Sequence, residues 1–248
     1  MGTKAKNTLL MGLAILSVIL AFGLVSGSYM GAMAADKLEA QSIVDKAQGT
    51  FGDMMSDSNF SWMEKYIKQA RGIIIFPEVL KGGFFIGGSA ATGVLLVRDN
   101  ETGAWSGPAF YTLASVTLGL QIGGEAAEVV MLAMTRKAVD HLLSSSVKLS
   151  GDASIAAGPF GGGAKESVSV PEVTADYISF TKSKGLYAGL NLEGSVLAVR
   201  DSLDETYYGQ AVSPKDIFFH KKAVNPGADW LRSDLDSATR SEIKVGVK

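Results

Sequence analysis

Cysteine is absent from the 248 residues. That one absence removes disulfides, thiolate metal sites, cysteine nucleophiles and a lipidated N-terminal cysteine together. Only two histidines occur, His141 and His220, and neither has a second histidine at metal-ligand spacing. Asp140-His141 falls on a predicted helix, where adjacent side chains point in different directions, so it reads as a surface pair rather than a catalytic couple. No G-x-S-x-G elbow surrounds a serine. The run Phe160–Lys165, FGGGAK, is not a phosphate loop, because Ala164 separates Gly163 from Lys165. Gly87-Gly88-x-x-x-x-Gly93 lacks the βαβ setting of a dinucleotide fingerprint. A formal net charge of −2 argues against a nucleic-acid partner. No cofactor, metal, nucleotide or nucleic acid is expected. The missing catalytic constellation favours a binding module over an enzyme.

What is present is apolar content and glycine. Apolar residues make up 47% and charged residues 19%, so a packed core is attainable. The 29 glycines follow no repeat. At the N-terminus, Lys4 and Lys6 precede an uncharged run from Leu9 to Val25, and Ala32-Met33-Ala34 follows. Positive, apolar, then A-x-A is the order of a secretory signal peptide. Cleavage after Ala34 would leave a single domain over 35–248 with net charge −4, since the removed piece carries two lysines and no acid. The alternative is an uncleaved anchor, the 17-residue run being at the short edge for a membrane span. Either way the chain is expected to be exported, in the periplasm or otherwise associated with the envelope.

Asp36 to Ser56 carries a helical stripe through Val44, Ala47, Phe51 and Met54/Met55. Ser61-Trp62-Met63-Glu64 fits a capping box for a second helix, with Met63, Ile67 and Ala70 inward and Gly72 as the stop. From Gly72 to Gly124, apolar runs alternate with glycines, the pattern of strands bent at their corners. Ile73–Phe76 is continuously apolar, so a strand buried on both faces is expected there, ended by Pro77. The following strand, Gly83 to Arg98, is expected to break at Gly87-Gly88. Asp99–Gly103 has the chemistry of a hairpin loop. Ala109–Gln121 and Glu128–Met134 are further strands, and Thr135–Ser144 turns helical. Val147–Pro159 reads as one strand. Asp176–Lys182 and Leu186–Arg200 read as a hairpin. Ser213-Pro214 starts a helix, and the tail from Asn225 holds a turn or two before fraying. Helices, strands, one helix, strands, then short helices give α+β with a curved, mostly antiparallel, barrel-like sheet.

One surface stands out by charge. Lys65, Lys68, Arg71 and Lys81 are four bases against Glu64 and Glu78, with Trp62, Phe84 and Phe85 near in sequence. Cations beside aromatic rings suit a membrane interface. The bland alternative is a solvated helix face over core aromatics. Glu125, after Gly123-Gly124, is an acid set in apolar sequence. Buried, it would need a partner or a raised pKa.

Several blocks then point to one family. RGIIIFPEVLKGGFFIGG, WSGPAFY, LGLQIGGE, KLSGDASIAAGP and SKGLYAGLNLEG, followed by YYG, occur in order between about Ala70 and Gly209. This stretch resembles the SYLF-domain family, whose members bind lipid and, in fungi, actin. The resemblance implies a curved antiparallel sheet over about 70–210, a short C-terminal tail and a membrane-lipid partner. Two departures matter. Eukaryotic members engage phosphoinositides through a basic N-terminal helix, whereas 36–57 here nets −3, the wrong sign for an anionic headgroup. Export also removes the chain from cytosolic actin. The expectation is therefore an envelope lipid-binding protein; the alternative is a periplasmic scaffold that binds another protein.

Overall fold

Ile73, Ile74, Ile75 and Phe76 have no accessible surface, and they form the middle of the sheet. In the computed structural model, the residues described are 36–83, 86–118, 123–159, 174–183 and 192–240. Helix α1 spans 36–56 and α2 spans Ser61–Ile67. Strands β1 (Gly72–Gly83), β2 (Ile86–Arg98), β3 (Trp105–Leu118) and β4 (Gly123–Ala133) follow. Then come α3 (Arg136–Leu142), β5 (Ser146–Lys148), β6 (Ile155–Ala157), β7 (Tyr177–Ser183) and β8 (Val196–Val199). Helices α4 (Asp201–Tyr208), α5 (Pro214–Phe218) and α6 (Asp229–Arg240) close the chain.

The strand order is β5-β8-β3-β2-β1-β4-β7-β6, and every pairing is antiparallel except β6 with β7. Both faces are covered. Ile73 and Ile75 join the α1, α2 and α6 side chains in one core. Ile74 and Phe76 join α3 and α5 in the other. Each such side chain contributes roughly 1.5–3 kcal/mol by burial, which is why the Ile73–Phe76 segment of β1 has no polar face.

The connection between β5 and β6 shows that the sheet curls. These strands are opposite edges, yet only residues 149–154 join them. Eight strands laid flat would span about 34 Å at about 4.8 Å per gap. Seven residue steps reach about 25 Å at most. The edges must therefore approach one another, giving a half-barrel. Val147–Pro159, expected as one strand, is instead two short strands on opposite edges, with a tight turn at Ser150–Asp152 that sends the chain across.

Other expectations need correcting. Pro77 does not end β1. The strand continues to Gly83, and a bulge takes up the proline: residues 76–79 of β1 face 91–93 of β2. Pro77 and Glu78 face Glu128 alone on β4. The bulge presses the Ile75 carbonyl onto Gly93, where a Cβ would lie 2.3 Å from that oxygen. Gly87-Gly88 does not interrupt β2. These residues pair with Gly83 and Gly82, which pair in turn with Gly123 and Gly124, so two rows of glycine cross three strands. β7 and β8 are not a hairpin, since β7 pairs with β4 and β8 with β3. Each has both sides taken, β7 by β4 and β6 and β8 by β3 and β5, so neither has a free edge for the other. The expected capping box on α2 is absent: Ser61 is the first helical residue, and Phe60 at the N-cap gives no side-chain bond. The C-terminal tail is no frayed turn. Leu231 and Leu235 of α6 enter the core, and Asp236 accepts a hydrogen bond from the Trp105 backbone N–H at 3.2 Å.

The remaining elements follow the sequence pattern. On α1, Val44, Ala47, Phe51 and Met54 are buried. Asp99 Oδ1 accepts from the Glu101 and Thr102 amides, both at 2.9 Å, which closes the β2–β3 loop. Ser213 and Asp216 form a reciprocal capping box on α5, with Pro214 first in the helix. No helix among the described residues is long and apolar enough to cross a membrane. The signal-or-anchor segment lies outside the described residues.

Candidate functional site

Of the seven candidate residues, the five that are described fall in two places along the chain's path. Trp62 is 9% exposed and packs beside Tyr66, with ring centroids 6.3 Å apart. The Lys65 ammonium lies over its ring at 5.3 Å. Lys68 pairs with Glu64 at 3.8 Å. Arg71, just before β1, donates to Asn100 Oδ1 at 3.1 Å. Lys65, Lys68 and Arg71 thus cluster where α2 feeds the sheet. Lys81 is at the other end of β1, ten residues and about 30 Å of extended strand from Arg71. The strand register sets Lys81 opposite Glu125. Phe84 and Phe85 lie outside the described residues, as does FGGGAK.

Arg71 instead belongs to an arrangement that sequence spacing did not reveal. It lines an open cleft of about 430 Å³ with Arg98, Arg136, Asp99, Asp140 and Phe219. The β2–β3 loop, the start of α3 and the end of α5 supply these walls. Arg98 donates to the Gly103 and Lys68 carbonyls, at 3.1 and 3.0 Å, which ties α2 to the loop. Asp99 accepts the two loop amides and pairs with Lys221 at 3.6 Å. Hydrogen bonds from those amides, with the Lys221 charge, hold its carboxyl down to about 2. Phe219 is 52% exposed, an apolar element in a polar cleft.

A second surface lies at the α1–α6 pair. Gln41 Nε2 donates to the Gly227 carbonyl at 2.9 Å, and Gln48 Nε2 to Asp234 Oδ2 at 2.9 Å. Both pairs are offset by 186 positions, so the helices run parallel. At their shared N-terminal end, Leu38, Val224 and Trp230 are 73%, 77% and 74% exposed.

Buried acid and hydroxyl groups serve the fold. Asp204 has no accessible surface. Its Oδ1 accepts from the Phe110 amide at 2.9 Å, while Oδ2 has no partner among the described residues. Burial pushes its carboxyl up to about 8, against the opposing pull of the Phe110 hydrogen bond. Asp204 is thus a fully buried acid in the first turn of α4, a position that local sequence does not distinguish from that of an ordinary helix N-terminal acid. Asp176 shows the opposite balance. Burial raises it, but bonds from Ser154 and Thr135 and the Lys137 charge hold it below the usual carboxylate range. His141 is on α3, half-buried, and its Nδ1 has no hydrogen-bond partner among the described residues. No group of three or more His, Cys, Asp or Glu side chains among the described residues could hold a metal ion.

Together these features define an α+β domain built on a curled half-barrel sheet, with an arginine-lined cleft at one end. The chain belongs to the Ysc84 family, described as "Las17-binding protein actin regulator", whose model matches residues 114–238. It is 34% identical to Protein YSC84 of Saccharomyces cerevisiae over 174 residues, covering 69% of this chain and 36% of that protein. It is 32% identical to LAS seventeen-binding protein 3 of the same yeast, over 69% of this chain and 37% of the relative. It is 30% identical to human SH3 domain-containing YSC84-like protein 1, over 73% and 53%. The chain thus spans about a third to a half of the length of these relatives. No solved structure matches it.

Proposed function

We propose that this chain is an exported, envelope-associated lipid-binding protein that acts by binding and not by catalysis. The observation that carries this reading is the exposed apolar group Leu38, Val224 and Trp230 at one end of the α1–α6 pair. That end leads back along the chain toward the apolar Leu9–Val25 run. Large apolar side chains exposed together are characteristic of a surface that meets lipid or another protein. Trp at such a position suits the headgroup layer. Lys65, Lys68 and Arg71 supply positive charge where α2 meets β1, and Lys81 supplies it at the far end of that strand.

Flotation of the full chain with vesicles of graded anionic content tests the reading. Binding that rises with anionic lipid supports it. Absence from the vesicle fraction at low salt, for every composition, overturns it. Charge reversal at Lys65, Lys68, Arg71 and Lys81 is expected to weaken flotation, and added salt to screen what remains. N-terminal sequencing and fractionation of the native protein test the export.

A second reading has its own support. The family description and one yeast relative are both named for binding a protein, Las17. On that reading this chain is an envelope scaffold. A stoichiometric protein partner retained in place of lipid would favour it.

A further inference from the structure

We infer that the cleft between the β2–β3 loop, α3 and α5 is a binding site for a phosphodiester-bearing ligand, held by Arg71 and Arg136. The six arginines of the chain divide by place. Arg200, Arg232 and Arg240, away from the cleft, each pair with a carboxylate: Glu39, Asp229 and Asp236. The three that line the cleft pair with none among the described residues. Arg98 is committed to two carbonyls. Arg71 gives one bond to an amide oxygen. Arg136 is exposed at the first position of α3. Two guanidinium forks therefore border a cleft of about 430 Å³ with donors unspent, and such forks match the oxygens of a phosphate.

The cleft also limits what anion it takes. Asp99 does not compete for the arginines, because two backbone amides and Lys221 hold it. Asp140 and Glu101 remain as exposed acids of the lining. Their charge disfavours a phosphate dianion or a pyrophosphate and leaves a singly charged diester as the better fit. The exposed Phe219 ring and the buried Val139 and Phe218 give an apolar stem something to lie against. The volume falls in the range of small-ligand sites. A glycerophospholipid headgroup and a soluble phosphodiester share this chemistry. Assigning the source to lipid rests on the proposed function; the site itself does not.

Isothermal titration of the full chain with two probes separates the sources: glycerophosphoglycerol, and dihexanoyl phosphatidylglycerol below its micelle concentration. The variants are Arg71→Gln/Arg136→Gln, both at exposed positions, and Arg240→Gln as a control for lost charge. Circular dichroism checks that each is folded. The wild type is expected to bind the lipid probe, the double variant about tenfold or more weakly, and the control like wild type. Equal binding of both probes, lost in the double variant, also upholds the site and makes a soluble phosphodiester its ligand. Equal affinity in wild type and double variant, or no binding of either probe, overturns it. A chain that floats with vesicles yet binds neither probe overturns the cleft and keeps the lipid reading. Arginine-dependent binding of glycerophosphoglycerol by a chain that never floats upholds the cleft and overturns the lipid reading.

Discussion

Replacing Asp204 by asparagine should stabilise this protein at alkaline pH and leave it nearly unchanged in acid. The carboxyl has no accessible surface and, among the described residues, one hydrogen-bond donor at 2.9 Å and an Oδ2 without a partner. Two opposing effects set its ionisation. Its place in the first turn of α4 favours the anion by about 0.3–1 kcal/mol. Burial with a single donor costs the anion several kcal/mol, so burial wins and the carboxyl titrates near 8 instead of 3.8. The folded state therefore keeps a proton that the unfolded chain has lost between about pH 4 and pH 8. Stability from this group is complete below about pH 4. It falls as pH rises, and is lost once pH passes through about 8. At 1.36 kcal/mol per unit, the shift is worth on the order of 5 kcal/mol.

Asparagine keeps an oxygen for the Phe110 amide and cannot ionise. Other groups titrate alike in both proteins, so the difference between them isolates Asp204. Urea unfolding at pH 4 and pH 9, followed by circular dichroism, measures it. For a domain of this size the urea dependence is about 2–3 kcal/mol per molar, so the pH 9 midpoints should differ by about 2 M. A variant less stable than wild type at pH 9, or a gap equal at both pH values, would refute the reasoning. Either result would mean that Asp204 is charged in the folded protein.

Two glycines should respond in opposite directions to the same substitution. Gly93→Ala puts a Cβ 2.3 Å from the Ile75 carbonyl oxygen, and should cost about 3 kcal/mol or more and lower the melting temperature by about 10 °C. Gly49→Ala, on the exposed side of α1 with nothing within 4 Å of the new Cβ, should gain roughly 1 kcal/mol. Thermal melts of both check the pair, and the bulge account fails if Gly93→Ala melts like wild type. Tryptophan emission offers a third check. Trp62 and Trp105 are buried, and Trp230 is 74% exposed, so Trp230→Phe should remove most acrylamide quenching. If the α1–α6 end meets the bilayer, vesicles should blue-shift wild-type emission and leave Trp230→Phe unmoved; a shift that survives the substitution rules that end out.

Some features of this chain follow from local pattern alone. The stripe of Val44, Ala47, Phe51 and Met54 specifies α1, because a helix that must bury one face writes that face into its spacing. Ile73–Phe76 marks the strand covered on both sides, since no polar residue interrupts it. Ser213-Pro214 and Asp99–Gly103 specify a cap and a loop through bonds made within a few residues. The blocks that carry the family resemblance are legible for a similar reason: each is a short run of neighbouring residues. Where the sequence misled, the deciding contact was distant. Pro77 would end an isolated strand, yet β4 and β2 hold β1 together around a bulge that only Gly93 leaves room for. Asp204 looks like any helix-first-turn acid until β3 is laid against it. Segments 147–159 and 176–200 suggest single strands and hairpins, because nothing local shows that the sheet curls and brings its two edges within reach of a six-residue loop. The same holds for binding chemistry. Arg71, Arg98 and Arg136 are far apart in sequence, and Lys81, near Arg71 in sequence, is a strand's length away in space. Helix spacing and turn residues determined the parts; the curl of the sheet decided which charges share a cleft.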